Sequence, residues 1–349
     1  MNKQRALNIL QRYQRQGLFT HCFGAFGIYS PQNLQTISDV SILPERRTIF
    51  DLASLTKALV TAPLYAQLFL KTTFSLETKL RDLNPECAKY FAAVPRLSDV
   101  TLGQLLSHTS GYPAWTNFWI NRLNGHKGKA FSESYHSHVR EVLARSARFG
   151  DDQISLYSDI GYIVLGVAIE LYYGSKLSDL FTGLLNNISG SELVIGFPNV
   201  HKFDEKMISS GFCKIREREL FGEVHDENCA ALGGVCGHAG LFSSGTDLVK
   251  FIMLLFNSDV GRELLRWQSI DQFSYGLRPG DDPTSSVFGD GNAVGHLGFT
   301  GTAFWCDPKN SSYAVLLTNR IISGRISSEI KSFRRDFFSF CQNQLSEIR

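Results

Sequence analysis

Ser54 and Lys57 stand three positions apart in the stretch Phe50-Asp51-Leu52-Ala53-Ser54-Leu55-Thr56-Lys57. If a helix begins near Ser54, residues i and i+3 share one face. The Lys57 amine then lies beside the Ser54 hydroxyl, where backbone N–H groups point out of the helix start. A serine hydroxyl is a poor nucleophile until an adjacent base takes its proton. A lysine buried by the apolar run Ala58-Leu59-Val60-Thr61-Ala62 loses part of its preference for the charged form. Nucleophile and base can therefore come from one helical turn. The same spacing also arises on ordinary solvated helix faces, so the rest of the chain must decide.

The elements that would position this turn can be read from pattern. Residues 3–16 read as a surface helix, and Cys22–Tyr29 as a packed strand with Leu34–Val40 as its hairpin partner. Pro63, inside the helix expected after Ser54, removes one backbone bond and predicts a kink or an end. From about Leu97 to Leu193 the spacing turns helical. Thr101–His108, Ser134–Ala147 and Asp159–Tyr173 are the clearest segments, with Asp159 as the expected N-cap of the last. After about residue 230 come a glycine-rich turn, Gly233–Gly240, and a helix from Thr246-Asp247. Strand candidates Ser274–Leu277, Thr302–Cys306 and Tyr313–Leu317 follow, then an amphipathic helix over Ile326–Ile348. Strands at both ends with helices between them predict an α+β fold: one sheet, helices on its faces and an all-helical insertion.

Composition narrows the function classes. A chain of 349 residues, 43% hydrophobic and 19% charged, can bury a large core. A net charge of +2 gives no electrostatic case for nucleic acid. The basic N-terminal stretch Met1–Arg12 has no apolar core segment, which argues against a secretory signal and for a cytoplasmic protein. The apolar runs Ala58–Leu70 and Tyr162–Leu171 are too short to span a bilayer. The seven cysteines include no Cys-x-x-Cys pair, so a zinc cage has little support and free thiols packed as small hydrophobes are expected.

Two further stretches join Ser54-x-x-Lys57: Tyr157-Ser158-Asp159 on a turn before a helix, and His296-Leu297-Gly298 leading through Phe299-Thr300-Gly301 into a strand. Their order and spacing resemble the serine β-lactamase and penicillin-binding protein superfamily. The likeness is closest to its class C β-lactamase-like branch, with DD-peptidases, esterases and penicillin-binding proteins of the 4B type. Leu105–Gly111 and Gly237–Ser244 fit the same branch, so the resemblance covers roughly residues 20–320. It implies a β-lactamase/transpeptidase-like fold with an antiparallel sheet flanked by helices. The α/β part would span about 1–75 and 230–349, and a mostly helical insertion about 76–229, within a single catalytic domain. It implies no cofactor and no metal.

The resemblance also implies roles. Ser54 attacks a carbonyl and becomes acylated, and Lys57 and Tyr157 share the proton work. The backbone N–H groups of Ser54 and Phe299, the latter following Gly298, hold the oxyanion. Two positions depart from the lactamase pattern. Asp159 stands where Asn is common; a carboxylate only accepts hydrogen bonds and favours a charged Lys57, which moves the burden of base to Tyr157. His296 stands where Lys is common, and an unperturbed histidine is mostly neutral at physiological pH. With Leu297 it should hold a substrate carboxylate less well, which tilts the expectation from β-lactamase towards esterase, amidase or peptidase. The expected substrate is a small ester, amide or peptide, with D-amino-acid peptides and muropeptide fragments among the candidates. One rival is a catalytically impaired acyl- or penicillin-binding protein. A second is a metal hydrolase using His225, Asp226 and His238, although spacing of that kind also suits loop residues capping turns. Val224–Asn228 resembles part of the 4B-type pattern and would line the cleft. His108 is expected to end a helix by bonding its carbonyls. Tyr112, Trp115, Phe118 and Trp119 suit either a substrate floor or core packing.

Overall fold

The computed structural model describes residues 3–29, 34–44, 47–94, 96–119, 133–146, 155–190, 192–267, 275–280, 288, 292–325 and 327–348. The order is α1 (Lys3–Arg15), β1 (Cys22–Tyr29), β2 (Leu34–Ile42), β3 (Ile49–Asp51), α2 (Ala62–Lys71), α3 (Pro85–Ala92), α4 (Leu102–Leu106) and α5 (Glu133–Ser146). Then come α6 (Asp159–Tyr173), α7 (Leu177–Ser189), β4 (Ile195–Gly196), β5 (Ser209–Cys213), β6 (Arg218–Phe221), α8 (Glu227–Ala231) and β7 (Phe242–Ser244). The last are α9 (Gly245–Asn257), α10 (Asp259–Arg266), β8 (Arg278–Pro279), β9 (Val294–Leu297), β10 (Ala303–Asp307), β11 (Ser312–Thr318) and α11 (Glu329–Ser346). Among the described residues the main sheet has six strands in the order β2-β1-β11-β10-β9-β8, paired antiparallel throughout. The fold is α+β, as expected from strands at both ends of the chain.

Both sheet faces are buried, and side-chain alternation divides them. Cys22 and Phe26 of β1, Ala303 and Trp305 of β10, and Ala314 and Leu316 of β11 face α1 and α11, where Leu10, Phe333 and Phe337 pack against them. Phe23 and Ala25, Phe304 and Cys306, and Val315 and Leu317 face the helical side of the molecule. A period of two puts successive side chains on opposite faces. Because both faces need apolar cover, these strands read as continuous hydrophobic runs in the sequence rather than as alternating ones. On the helical side α6 is buried continuously from Ile160 to Ile169. A helix apolar all round belongs in a core, and its first turn is thereby fixed against the site described below. Among the described residues no single helix is long and apolar enough to cross a membrane.

The region 76–229 is not all-helical. It holds β4, which pairs with β7, and the β5–β6 hairpin. β4 ties this region back to the three-stranded sheet β3-β7-β4, whose first strand runs into Ser54. Pro63 does not end its helix either. The chain forms a π-helical segment over Lys57–Thr61, with Ala62 N donating to Lys57 O, and continues into α2 with Pro63 in its first turn. Pro63 gives up one backbone N–H bond in this continuous helix, and the wider π turn just before it takes up the ring's mismatch. The Ser134–Ala147 helix is observed as α5, with Ala147 outside the described residues. The strand expected over Ser274–Leu277 lies further on: Ser274 is outside the described residues, Tyr275 and Gly276 form a turn, and after a bridge at Leu277 the strand is β8, Arg278–Pro279. The C-terminal helix starts at Glu329; Ile326 also lies outside the described residues.

Candidate active site

The nucleophile turn is built by a short strand that stops abruptly. Leu52 N bonds Leu241 O, and Ala53 then adopts a left-handed φ of 48°. That conformation is costly for a residue with a Cβ. The Asp51 carboxylate holds it in place, accepting Ala53 N at 2.8 Å and His225 N at 2.7 Å. Burial pushes the Asp51 carboxyl up to about 6, against the pull of those two N–H groups. Helical turns begin at once, with Lys57 N bonded to Ser54 O. Ser54 is half-buried and Lys57 fully buried.

Lys57 Nζ reaches Ser54 Oγ at 3.1 Å, Asp159 Oδ1 at 2.6 Å and His238 O at 3.3 Å. It also lies 4.8 Å from the Tyr157 ring centroid and 5.6 Å from that of Tyr162. Burial alone would favour the neutral amine. Asp159 and Tyr157 outweigh it, so the ammonium is held above the ordinary lysine value. Tyr157 hydrogen-bonds both Lys57 and Ser54. Burial pushes its hydroxyl above the usual tyrosine value and Asp159 adds to this, while the Lys57 charge pulls the other way. The resting arrangement is an ammonium, a carboxylate and a neutral phenol around one serine hydroxyl.

Ser158, not Asp159, caps α6: the Ser158 hydroxyl accepts from Gly161 N, and Asp159 is the first helical residue. This frees the Asp159 side chain for Lys57, while its backbone N–H bonds Ala114 O. His108 follows the end of α4, as expected, but its ring turns to the second motif. It lies past the end of α4 with φ 60°, and its Nδ1 accepts Ser158 N at 2.9 Å instead of donating to a helix carbonyl. Burial, with the Lys57 charge, keeps it neutral. Its ring stacks 4.6 Å from Tyr157, so it orients the second motif from below, a role that the sequence offered no spacing to suggest.

The third motif forms the turn from β9 to β10. Thr300 Oγ1 donates to Asp51 O at 2.8 Å and Thr302 Oγ1 to Leu52 O at 3.1 Å, so the turn is fastened to the residues just before Ser54. Gly298 is required by that closeness: a Cβ there would lie 2.0 Å from Thr302 Oγ1 and 2.8 Å from Leu52 O. Among the described residues the backbone N–H groups of Ser54 and Phe299 make no hydrogen bond to protein. The Phe299 side chain is 39% exposed, with the Arg320 and Arg325 guanidinium groups 4.8 and 5.2 Å from its ring centroid. His296 is buried, 6.1 Å from Tyr157 between ring centroids. Its Nδ1 donates to Leu297 O, which leaves a lone pair on Nε2. Burial and the Lys57 charge hold it neutral, well below its ordinary value. The structure thus brings Ser54, Lys57, Tyr157, Asp159 and His296 together, with the turn Gly298-Phe299 fastened beside them.

Asp226 and His238 form a different unit. His238 Nε2 lies 2.9 Å from Asp226 Oδ1, and Cys229 N also bonds that oxygen. Burial opposes the charge on His238, but Asp226 raises it to about 10. The pair stiffens the turn whose carbonyl, His238 O, accepts from Lys57. Gly237 in the same turn packs so tightly on α6 that a Cβ would come within 2.1 Å of Tyr162 O. His225 is buried and neutral, lowered to about 4 by burial. Among the described residues no group of three or more His, Cys, Asp and Glu side chains could hold a metal ion, so the metal-hydrolase set of His225, Asp226 and His238 does not assemble. The seven cysteines are buried and free. Of the aromatic loop, Tyr112 and Phe118 are core residues, and Trp115 is exposed.

A strained serine turn, a Ser-x-x-Lys pair with the lysine fully buried and a tyrosine bonded to both define a serine acyl hydrolase. Comparison with known proteins agrees. The family model described as Beta-lactamase matches residues 40–325, and the chain belongs to that family. A relative from Salmonella agona (strain SL483), named "Putative D-alanyl-D-alanine carboxypeptidase", is 26% identical over 336 residues, covering 85% of this chain and 75% of the relative. Two similar solved structures share the fold. The D-amino acid amidase from Ochrobactrum anthropi SV3 complexed with D-phenylalanine has a TM-score of 0.70 at 16% identity, covering 99% of this chain and 100% of that one. The octameric penicillin-binding protein homologue from Pyrococcus abyssi has a TM-score of 0.68 at 17% identity, covering 95% and 76%.

Proposed function

We propose that the protein hydrolyses small acyl esters and D-amino-acid amides or peptides through an acyl-enzyme on Ser54, and handles β-lactams poorly. The observation that carries this reading is the buried Lys57 ammonium, 3.1 Å from Ser54 Oγ and 2.6 Å from Asp159 Oδ1, with Tyr157 bonded to both Ser54 and Lys57. With Lys57 charged, the group that takes the serine proton is the ionised fraction of Tyr157, stabilised by the adjacent ammonium. Ser54 Oγ attacks the carbonyl carbon as its proton passes to the phenolate. The oxyanion is received by the Ser54 and Phe299 N–H groups. On collapse the leaving amine or alkoxide takes the proton from Tyr157. Water then attacks the ester of Ser54, its proton passing by the same route, and the acid departs.

The substrate preference follows from His296. A neutral, buried imidazole offers no permanent cation to a substrate carboxylate at the third motif. The names of the Salmonella relative and of the amidase support amide substrates built from D-amino acids. The test gives wild type and Ser54→Ala a short-chain p-nitrophenyl ester, D-phenylalanine amide, a D-alanyl-D-alanine peptide and a chromogenic cephalosporin, with intact-mass analysis. Ser54-dependent turnover of ester or amide, faster than that of the cephalosporin, is expected. No turnover and no mass adduct on Ser54 would defeat the reading in favour of an acyl-binding protein without catalysis.

A further inference from the structure

The peptide linking Gly298 to Phe299 carries the second oxyanion donor, and in a planar trans peptide the carbonyl points opposite to the N–H. Whatever fixes the Gly298 carbonyl therefore aims the Phe299 N–H. Two donors fix it: Gly301 N at 3.0 Å and Arg334 Nη2 at 2.7 Å. The same Nη2 reaches Thr302 O at 2.9 Å, which also accepts Gly298 N at 2.7 Å. One guanidinium nitrogen, with two hydrogens, thus bridges the carbonyls at both ends of the turn. Arg334 is 7% exposed and sits on α11, between Phe333 and Phe337, which are wholly buried under the sheet. A charged side chain on the apolar stripe of a helix is costly unless it is well bonded.

We propose that Arg334 is the positioning residue of the oxyanion hole. Its guanidinium locks the Gly298 carbonyl, so that the Phe299 N–H faces the carbonyl oxygen of an acyl group on Ser54. Its charge also polarises that peptide towards stronger donation. Arg334 touches neither substrate nor the reacting atoms; it acts through one peptide. The role rests on the acyl-enzyme reading above.

The experiment compares wild type, Ser54→Ala, Arg334→Lys and Arg334→Met with p-nitrophenyl acetate. It measures the acylation rate constant, the substrate dissociation constant, the intact mass and the infrared stretch of a 13C-labelled acyl carbonyl on Ser54. Loss of a whole oxyanion donor costs about 10²- to 10³-fold, so a misaimed one should slow acylation about 10- to 100-fold in Arg334→Met. The substrate dissociation constant obtained from the burst should stay within about threefold, since the interaction is made in the transition state. Arg334→Lys should fall between the two, and the acyl carbonyl should stretch at higher frequency in Arg334→Met, where it is less polarised. A merely structural anchor would not move that frequency in the folded protein. Wild-type acylation rates and carbonyl frequency in Arg334→Met, with the Ser54 adduct present, overturn the role of Arg334 alone. If Arg334→Met fails to fold, a wild-type rate and frequency in Arg334→Lys overturns it equally. Absence of any adduct in wild type overturns the acyl-enzyme reading, and this role with it.

Discussion

Lys57 Nζ lies nearer to Asp159 Oδ1, at 2.6 Å, than to Ser54 Oγ, at 3.1 Å. The carboxylate, not the nucleophile, is the main partner of the amine. This keeps Lys57 charged, while burial, with the Asp159 charge added, raises Tyr157 against the pull of the ammonium, so the active form at neutral pH is a minority species. The hydrolysis rate of wild type should climb with pH through the neutral range and into the alkaline, because the base is the deprotonated tyrosine. Asp159→Asn leaves the burial of Tyr157 in place but removes the charge that adds to its hold on the proton. Its pH–rate limb should move to lower pH, and one unit of movement corresponds to about tenfold more turnover at pH 7. Profiles of kcat for a p-nitrophenyl ester in the two proteins check this; coincident limbs would sink it.

Lys57→Met asks how far the ammonium supports that base. The substitution leaves the Asp159 carboxylate, one-fifth exposed, without its partner and the tyrosine without its cation. Turnover should fall about 10²- to 10⁴-fold, the usual worth of acid–base assistance. Removing one member of a buried pair should also lower stability by about 3 kcal/mol. Steady-state kinetics and urea melts measure the two effects separately. A variant that kept its rate would show that Lys57 serves packing alone.

What the sequence disclosed and what it withheld separate cleanly by mechanism. Ser54, Lys57, Tyr157, Asp159 and His296 were legible because each sits in a local motif, and the order of those motifs implied the fold. The strands were legible in outline because β1, β10 and β11 are apolar runs. Asp159 was misread as a cap because Ser and Asp are both good N-caps and only Ser158 Oγ reaches Gly161 N. Of the kink or end expected at Pro63, the end did not occur: a π-turn just upstream lets the helix continue. β4 and the β5–β6 hairpin escaped notice inside a helical stretch because short strands carry little periodicity. The support from His108, Thr302 and Arg334 comes from contacts far apart in the chain, which no local pattern encodes. A single signal pointed to Arg334: an arginine on the helical stripe of Ile330, Phe333 and Phe337.

The fastening of the third motif to the nucleophile turn can be tested at Gly298. A methyl group there meets Thr302 Oγ1 at 2.0 Å and Leu52 O at 2.8 Å. Gly298→Ala should cost about 1–3 kcal/mol, the usual range for overpacking, and should slow acylation. Thr302→Ala removes the nearer clash but also the bond to Leu52 O. The double variant should therefore regain part of the stability and none of the rate. Such neighbouring sites should couple by more than about 0.5 kcal/mol. Thermal melts and burst kinetics on both single variants and the double supply the cycle; strict additivity in stability would contradict the contact.

His238 gives a prediction in stability against pH. Asp226 raises its folded value to about 10, from an ordinary value of 6.5. A group raised on folding contributes stability that is fully present below its unfolded value and is lost as pH rises through its folded one. The contribution of His238 should thus be complete below about pH 6.5 and fade by about pH 10. Asp159 and Cys236 face the same imidazole and also favour its charge. The Asp226 side chain is one-quarter exposed, so solvent weakens the pair, and a difference of about 3 kcal/mol across the window is expected. His238→Gln keeps a hydrogen-bonding side chain without the charge. Urea melts from pH 6 to pH 10 should show a steeper loss of stability in wild type than in this variant. The Lys57 contact gives a second readout, because loosening the turn at His238 O should slow acylation at every pH in that range. Parallel stability profiles would mean that the imidazole is neutral in the folded protein, and that the turn behind Lys57 is held by its glycine packing alone.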